Sequence, residues 1–326
     1  MSKKTGMQAR FLAGVILSAA ALMLALRDLD WAELGAALGR VRLGWLLAAV
    51  VVEMVVVWVN AARWRWLFWP HFRPRVRRLF GTLCVAQLAN AVLPGRMGLL
   101  IRALLVGKGG QISRATALTT LAVEKALEGV TLLLLGVGIV LALDVPDWLR
   151  ASVIASGGIV LALLVVLGGG LRWRESLVAR ISRRTAGWLP GAVRALFDGL
   201  DSLRSAKAGW RLWALSLVYW ALVTLVNWLA IRAMDLSVPA IASLVLLVVL
   251  QMGVRIPSSP GSIGVFDYLG VISLAIFGVE KEPALAVTLL LHLIFYLPSS
   301  LVGVCYLLWM STGLGRLRRA ALAAQE

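Results

Sequence analysis

The sequence has little of what a water-soluble protein is made from. Only 15% of its 326 residues are charged, against about a quarter in an ordinary soluble domain, so a solvated globule is excluded. Two cysteines, Cys84 and Cys305, both in apolar runs, exclude a disulfide framework and show no metal-ligand spacing. With two histidines there is no H-E-x-x-H pair. P-loop, G-x-S-x-G and Asp-rich magnesium-binding patterns are missing too. Ser258, Ser259 and Ser262 cluster, but sequence places no base beside them. The expectation is therefore a non-enzyme without cofactor or metal; an intramembrane enzyme is the third-ranked reading.

Hydrophobic residues make up 60% of the chain, in runs that approach the ~20 residues a helix needs to cross ~30 Å of hydrocarbon. The polar stretches between them are short. Even the longest, Leu171 to Arg211, is about the smallest length able to bury a core alone. A single all-α integral membrane domain is expected over 1–326. The net charge of +17 raises nucleic acid as a partner, but the basic residues crowd into alternate loops. That is the positive-inside pattern of a cell-membrane protein in contact with acidic phospholipids.

Full crossings are expected at Phe11–Leu26, Gly44–Asn60, Ala115–Leu143, Ser152–Gly168, Leu212–Ile231 and Pro283–Trp309. The first resembles a signal peptide, but Arg27-Asp28-Leu29-Asp30 stands where a cleavage site would, so an uncleaved helix is the better reading. Two further apolar segments are interrupted: Phe80–Lys108 at Pro94-Gly95, and Ile241–Val279 between Pro257 and Gly261. Proline removes a donor and clashes with the preceding turn, leaving each half too short to cross. If each dips in and returns, the first from the cytoplasm and the second from outside, the basic N-terminus, Arg63–Arg78, Lys108–Arg114, 171–211 and the C-terminal tail share one side. A single crossing of the first segment would put the Arg-rich 171–211 stretch outside, against the rule. Both termini are thus expected in the cytoplasm.

Pro94-Gly95-Arg96-Met97-Gly98 recurs as Pro260-Gly261-Ser262-Ile263-Gly264, each at a break and each followed by a half-helix, a short turn and a long apolar helix. The expected architecture is about six full transmembrane helices plus two oppositely oriented re-entrant hairpins forming an inverted repeat. Its parts are two N-terminal helices in 1–62, a first repeat over 79–169 with hairpin 80–108, a basic segment over 171–211, and a second half over 212–311 with hairpin 241–279. Within the basic segment, Val193, Leu196, Phe197, Leu200 and Leu203 form a stripe that reads as an interfacial or a linker helix. Arg63–Arg78, interleaved with Trp64, Trp66 and Trp69, reads as an interfacial belt.

Ionisable residues fall inside these apolar segments: Glu53, Arg96, Arg102, Glu124, Lys125, Glu128, Arg255 and Asp267. Each opposes insertion by ~2.5–3.5 kcal/mol at mid-helix, so they require pairing or hydration. Glu124 and Glu128, at i and i+4, share one helix face, with Arg102 as the natural partner and Arg96 nearer the tip. They read either as a phosphoryl head-group site or as a structural ion-pair network. Asp267 benefits from the dipole at a half-helix start, beside Arg255 and Gln251 and with His292 on the last helix. Glu53 has no evident partner, and Asn227, Asn90 and Gln87 read as interhelical donors.

Asn90 through Gly98, then Arg102, then Val123-Glu-Lys-Ala-Leu-Glu128 resembles the first signature of the lysylphosphatidylglycerol synthase-type transmembrane, flippase-like, family. Pro260 through Asp267, the Gly278-Val279 turn and the long last helix are similar to its C-terminal half. The resemblance covers essentially the whole chain, its specificity lying in the combination of loose motifs. It implies a membrane domain that moves aminoacylated phospholipid between leaflets, without the soluble domain that performs aminoacyl transfer. By resemblance Arg102, Glu124, Lys125, Glu128 and Asp267 line the head-group cavity, and a separate lipid-modifying enzyme is a candidate partner. Leu99 stands where the family often has an acid, and Asp267 where it usually has Glu, which changes the charge offered to a head group. The runner-up reading is a non-transporting scaffold or accessory subunit of an envelope lipid-modification pathway.

Overall fold

The computed structural model describes residues 16–70, 72–93, 97–107, 112, 114–172, 206–253 and 259–323, and all regular structure among them is helical. The helices are α1 Ile16–Leu26, α2 Trp31–Gly39, α3 Leu43–Leu67, α4 Val76–Val92, α5 Gly98–Gly107, α6 Arg114–Ala142 and α7 Asp147–Arg172. After the segment outside the description come α8 Ala206–Ala233, α9 Ile241–Gly253, a 3₁₀ turn Pro260–Ser262, α10 Val265–Ala275 and α11 Lys281–Ala323. Among the described residues, four stretches are long and apolar enough to cross a membrane: Leu43–Leu67, Thr116–Ala142, Gly209–Ala233 and Lys281–Met310. Of the other two expected crossings, Phe11–Leu26 is described only from Ile16, and Ser152–Gly168 lies inside α7. Most of 171–211, with the Val193–Leu203 stripe, lies outside the described residues.

Both interrupted segments fold back as antiparallel hairpins. α4 stops at Val92 because Leu93, held out of the helical region by the following proline, is extended (φ −94°, ψ 142°). The Asn90 side chain then accepts from the Gly98 amide at 2.9 Å. At the open end Arg78 donates to the carbonyls of Leu105 and Val106. A Cβ at Gly98 would lie 2.4 Å from the Ala86 carbonyl oxygen, so the return helix approaches α4 as closely as glycine permits. The apex residues Pro94, Gly95 and Arg96 lie outside the described residues. In the second hairpin Pro260 begins the 3₁₀ turn, Gly261 and Gly264 take positive φ (68° and 91°), and Asp267 accepts from the Gly264 amide at 2.9 Å to start α10. The open end of α4/α5 lies with the end of α3, whereas that of α9/α10 lies with the start of α11, at the opposite end of the bundle. The turn Pro260–Ser262 rests on α4.

The two halves share part of their packing. α3 packs on α8, the helix that precedes each hairpin; α4 packs on α11 while α6 packs on α9. At the α4–α11 crossing, a Cβ on Gly303 would come within 2.7 Å of the Cys84 carbonyl oxygen, and one on Gly81 within 2.4 Å of the Tyr306 ring. Gly303→Ala should therefore force the helices apart and lower stability by about 1–3 kcal/mol. Gly35→Ala, with nothing within 4 Å of its Cβ, is the matched control. Thermal midpoints of the purified variants in detergent check this.

Charge divides the ends. At one end Arg42 pairs with Asp235 at 2.7 Å, the Asp30 amide donates to Glu282, and Lys281 donates to the carbonyls of Leu24 and Arg27. At the other end, Arg65, Arg73, Arg75, Arg77, Arg78 and Arg211 gather around the α3–α4 turn and the start of α8.

A buried arginine–glutamate network as candidate functional site

The interior holds one continuous set of ion pairs. Arg102, from the return helix of the first hairpin, meets Glu124 of α6 in a two-point contact, Nη1 to Oε1 at 3.2 Å and Nη2 to Oε2 at 2.6 Å. Arg63 of α3 spans both glutamates, 2.8 Å to Glu128 and 3.3 Å to Glu124, and donates to the Asn60 side chain at 3.1 Å. Lys125 closes the chain on Glu128 at 2.6 Å. Arg63 and Glu124 side chains are each 1% exposed, whereas Lys125 is 52% exposed, so the network runs from the interior to the surface of α6. Glu124 stands ten residues into α6, about 15 Å from its start and so deep in any bilayer this helix spans.

Aromatic and small residues make room for these charges. Ala61 beside Arg63 is fully buried, and Arg63 lies over the Tyr219 ring of α8 at 4.6 Å. Arg102 lies over the Trp64 ring at 4.2 Å, and the Trp64 indole N–H donates to Thr120 at 3.0 Å. The guanidiniums are thus held in place by π faces as well as by carboxylates. Their hydrogen bonding is incomplete: Arg63 Nε and Nη1 and Arg102 Nε are buried without an acceptor, and Glu53 Oε2 is buried without a donor. Unsatisfied donors on buried cations are costly, and an anion entering the network would meet them.

Arg63 is the residue that reading the sequence missed. The sequence pattern assigns it to an interfacial belt together with Trp64, yet both are buried. The expected crossing ended at Asn60, but α3 continues to Leu67, which carries Arg63 one turn past Asn60 into the bundle. The available signal was Ala61-Ala62 ahead of Arg63, small residues that admit a close helix. Of the expected site residues, Arg102, Glu124, Lys125 and Glu128 come together in this network. Arg96 and Arg255 lie outside the described residues.

Asp267 makes its contacts elsewhere. Besides capping α10, its Oδ1 is 3.3 Å from His292 Nδ1, an ionic distance without hydrogen-bond alignment. The same His292 nitrogen is 3.2 Å from the Thr288 carbonyl, and Nε2 is 3.2 Å from that of Gly261. His292 also packs edge-on against Phe266 at 4.4 Å, so it ties the second hairpin tip to α11. The Ser259 amide donates to Ser18 at 2.7 Å, which seats α1 on the same tip. Asn227 bonds across to the Ser243 carbonyl, joining α8 to α9.

Long apolar helices around buried, mutually paired charges define a multi-pass helical membrane protein. The chain belongs to the lysylphosphatidylglycerol synthase TM region family, which it matches over residues 11–303. It is 25% identical over 295 residues to a UPF0104 membrane protein of Methanothermobacter thermautotrophicus, covering 80% of this chain and 83% of that one. It is 24% identical over 319 residues to Glycosyltransferase AglD of Haloferax volcanii, covering 86% of this chain and 51% of the relative, about half its length. No solved structure matches the chain.

Proposed function

We propose that the protein moves a phospholipid with an anionic, zwitterionic or aminoacylated head group, or a related glycolipid, between leaflets. The polar path runs along Arg63, Arg102, Glu124, Lys125 and Glu128, with Arg96, Arg255 and Asp267 as further contacts beside the hairpin tips. The observation that carries this reading is the set of buried guanidinium N–H groups without acceptors on Arg63 and Arg102. A phosphate oxygen matches such donors better than any neutral group. The glutamates behind them, joined to Lys125, offer a place for an ammonium when the phosphate displaces a carboxylate. Movement would open the ion pairs toward one leaflet and close them toward the other.

In the membrane, this reading has about six crossings and two re-entrant hairpins. α5 and α10 are 10 and 11 residues long, about 15–17 Å, half the hydrocarbon depth. The arginine-rich end faces the cytoplasm of a cell membrane, where both termini lie. A second reading, an accessory subunit that assembles with a separate lipid-modifying enzyme, draws support from the relative named as a glycosyltransferase, about half of which this chain spans.

Proteoliposomes with a fluorescent lipid in one leaflet separate the two. Wild type should exchange lipid faster than empty vesicles, while Arg102→Ala and Glu124→Gln should slow exchange at least tenfold, the effect of losing one charge-assisted contact of about 1.5–3 kcal/mol. Equal exchange in wild type, both variants and empty vesicles would remove the transport reading. Loss of assembly with a partner at unchanged exchange would favour the accessory role.

A further inference from the structure

A second polar site lies at the arginine-rich end and shares no residue with the buried network. Arg65 and Trp66 at the end of α3, Trp69 and Arg73 in the turn that follows, and Arg211 at the start of α8 line a pocket of about 210 Å³. Arg211 sits over the Trp66 ring at 4.5 Å and Arg73 over the Trp69 ring at 4.0 Å, and the two rings lie 5.7 Å apart. Stacking occupies the flat faces of these guanidiniums and leaves their in-plane N–H groups for an acceptor. Among the described residues no carboxylate pairs with Arg65, Arg73 or Arg211. This contrasts with Arg63 and Arg102, each matched to glutamate. Three cations around one small opening repel one another, and an anion relieves that repulsion.

We infer that this pocket binds a phosphate ester, the head group of a lipid in the leaflet at the arginine-rich end. The chemistry favours phosphate over carboxylate because the donors approach from three separate arginines, and phosphate presents oxygens in several directions. The tryptophans favour a lipid source, since indole rings settle at head-group depth, where an acyl chain can lie along their apolar edges. The pocket would hold a lipid at the surface whether or not the buried network moves one.

Calorimetric titration of the full-length protein in neutral maltoside detergent tests this, with short-chain phosphatidic acid and inorganic phosphate as probes. Arg73→Gln and Arg211→Gln should each weaken phosphatidic acid binding about tenfold, and Arg73→Lys less. Arg75→Gln removes the same charge from an exposed arginine outside the pocket and should leave binding unchanged. Tighter binding of the lipid than of inorganic phosphate supports the head-group source; equal binding supports a phosphate site but overturns the lipid source. Affinity indifferent to Arg73→Gln and Arg211→Gln, or lowered as much by Arg75→Gln, overturns the site itself. None of these readouts depends on lipid exchange.

Discussion

Arg63→Met is expected to stop lipid exchange and to lower folding stability by about 3–5 kcal/mol, the cost of leaving buried charges without their partner. Arg63 is the only residue in the network that touches both Glu124 and Glu128. Without it, Glu124 keeps Arg102 and Glu128 keeps Lys125, but two carboxylates one turn apart are left facing each other. Differential scanning fluorimetry in detergent would read the stability, and the proteoliposome assay the exchange. A double variant, Arg63→Met with Glu128→Gln, separates structure from function. Neutralising Glu128 with the arginine removes the facing carboxylates and leaves the Arg102–Glu124 pair intact, so much of the stability should return. Exchange should not. A double variant that folds well and exchanges lipid at the wild-type rate would show that the network only holds helices together.

Gly264→Ala is expected to have the next largest effect, through the second hairpin tip. Gly264 has φ 91°, where a side chain costs about 1–3 kcal/mol. A Cβ there would also lie 2.2 Å from the Ser18 carbonyl oxygen, a backbone atom of α1. Conformational strain and displacement of α1 therefore add. Gly278→Ala isolates the first of these, because Gly278 also has positive φ (73°) but nothing within 4 Å of its Cβ. The Gly264 variant should lose more thermal stability than the Gly278 variant, and in cysteine-crosslinking experiments it alone should loosen Ser18 from Ser259. Equal losses in the two variants would mean that α1 does not depend on the tip.

The two sites differ in how a charge is kept at low dielectric. In the interior, Arg102 and Glu124 meet with two-point geometry because planar guanidinium matches planar carboxylate. At the arginine-rich end, the guanidiniums remain partly exposed and lean on indole rings instead of acids. The first arrangement is closed to any ligand that cannot compete with a carboxylate. The second is open to any anion of suitable size.

Much of this was legible in the chain because it follows from short-range rules. Apolar run length marks where helices cross, and Pro-Gly pairs mark where a run breaks, since proline acts on its own neighbours. The spacing of Glu124 and Glu128 puts both on one face of α6 by helical geometry alone. The order and spacing of the two signatures point to the family that the chain matches over residues 11–303.

Tertiary structure decided the contacts that no local rule reaches. Arg63 is 61 residues from Glu124 in sequence and joins it because α3 runs one turn further than its apolar stretch. Arg211 reaches Trp66 because α3 and α8, far apart along the chain, pack along each other. Asp267 meets His292 because the second tip folds against α11. Periodicity and hydropathy act over one helix, whereas Coulomb attraction selects partners through space and registers only after packing has placed them.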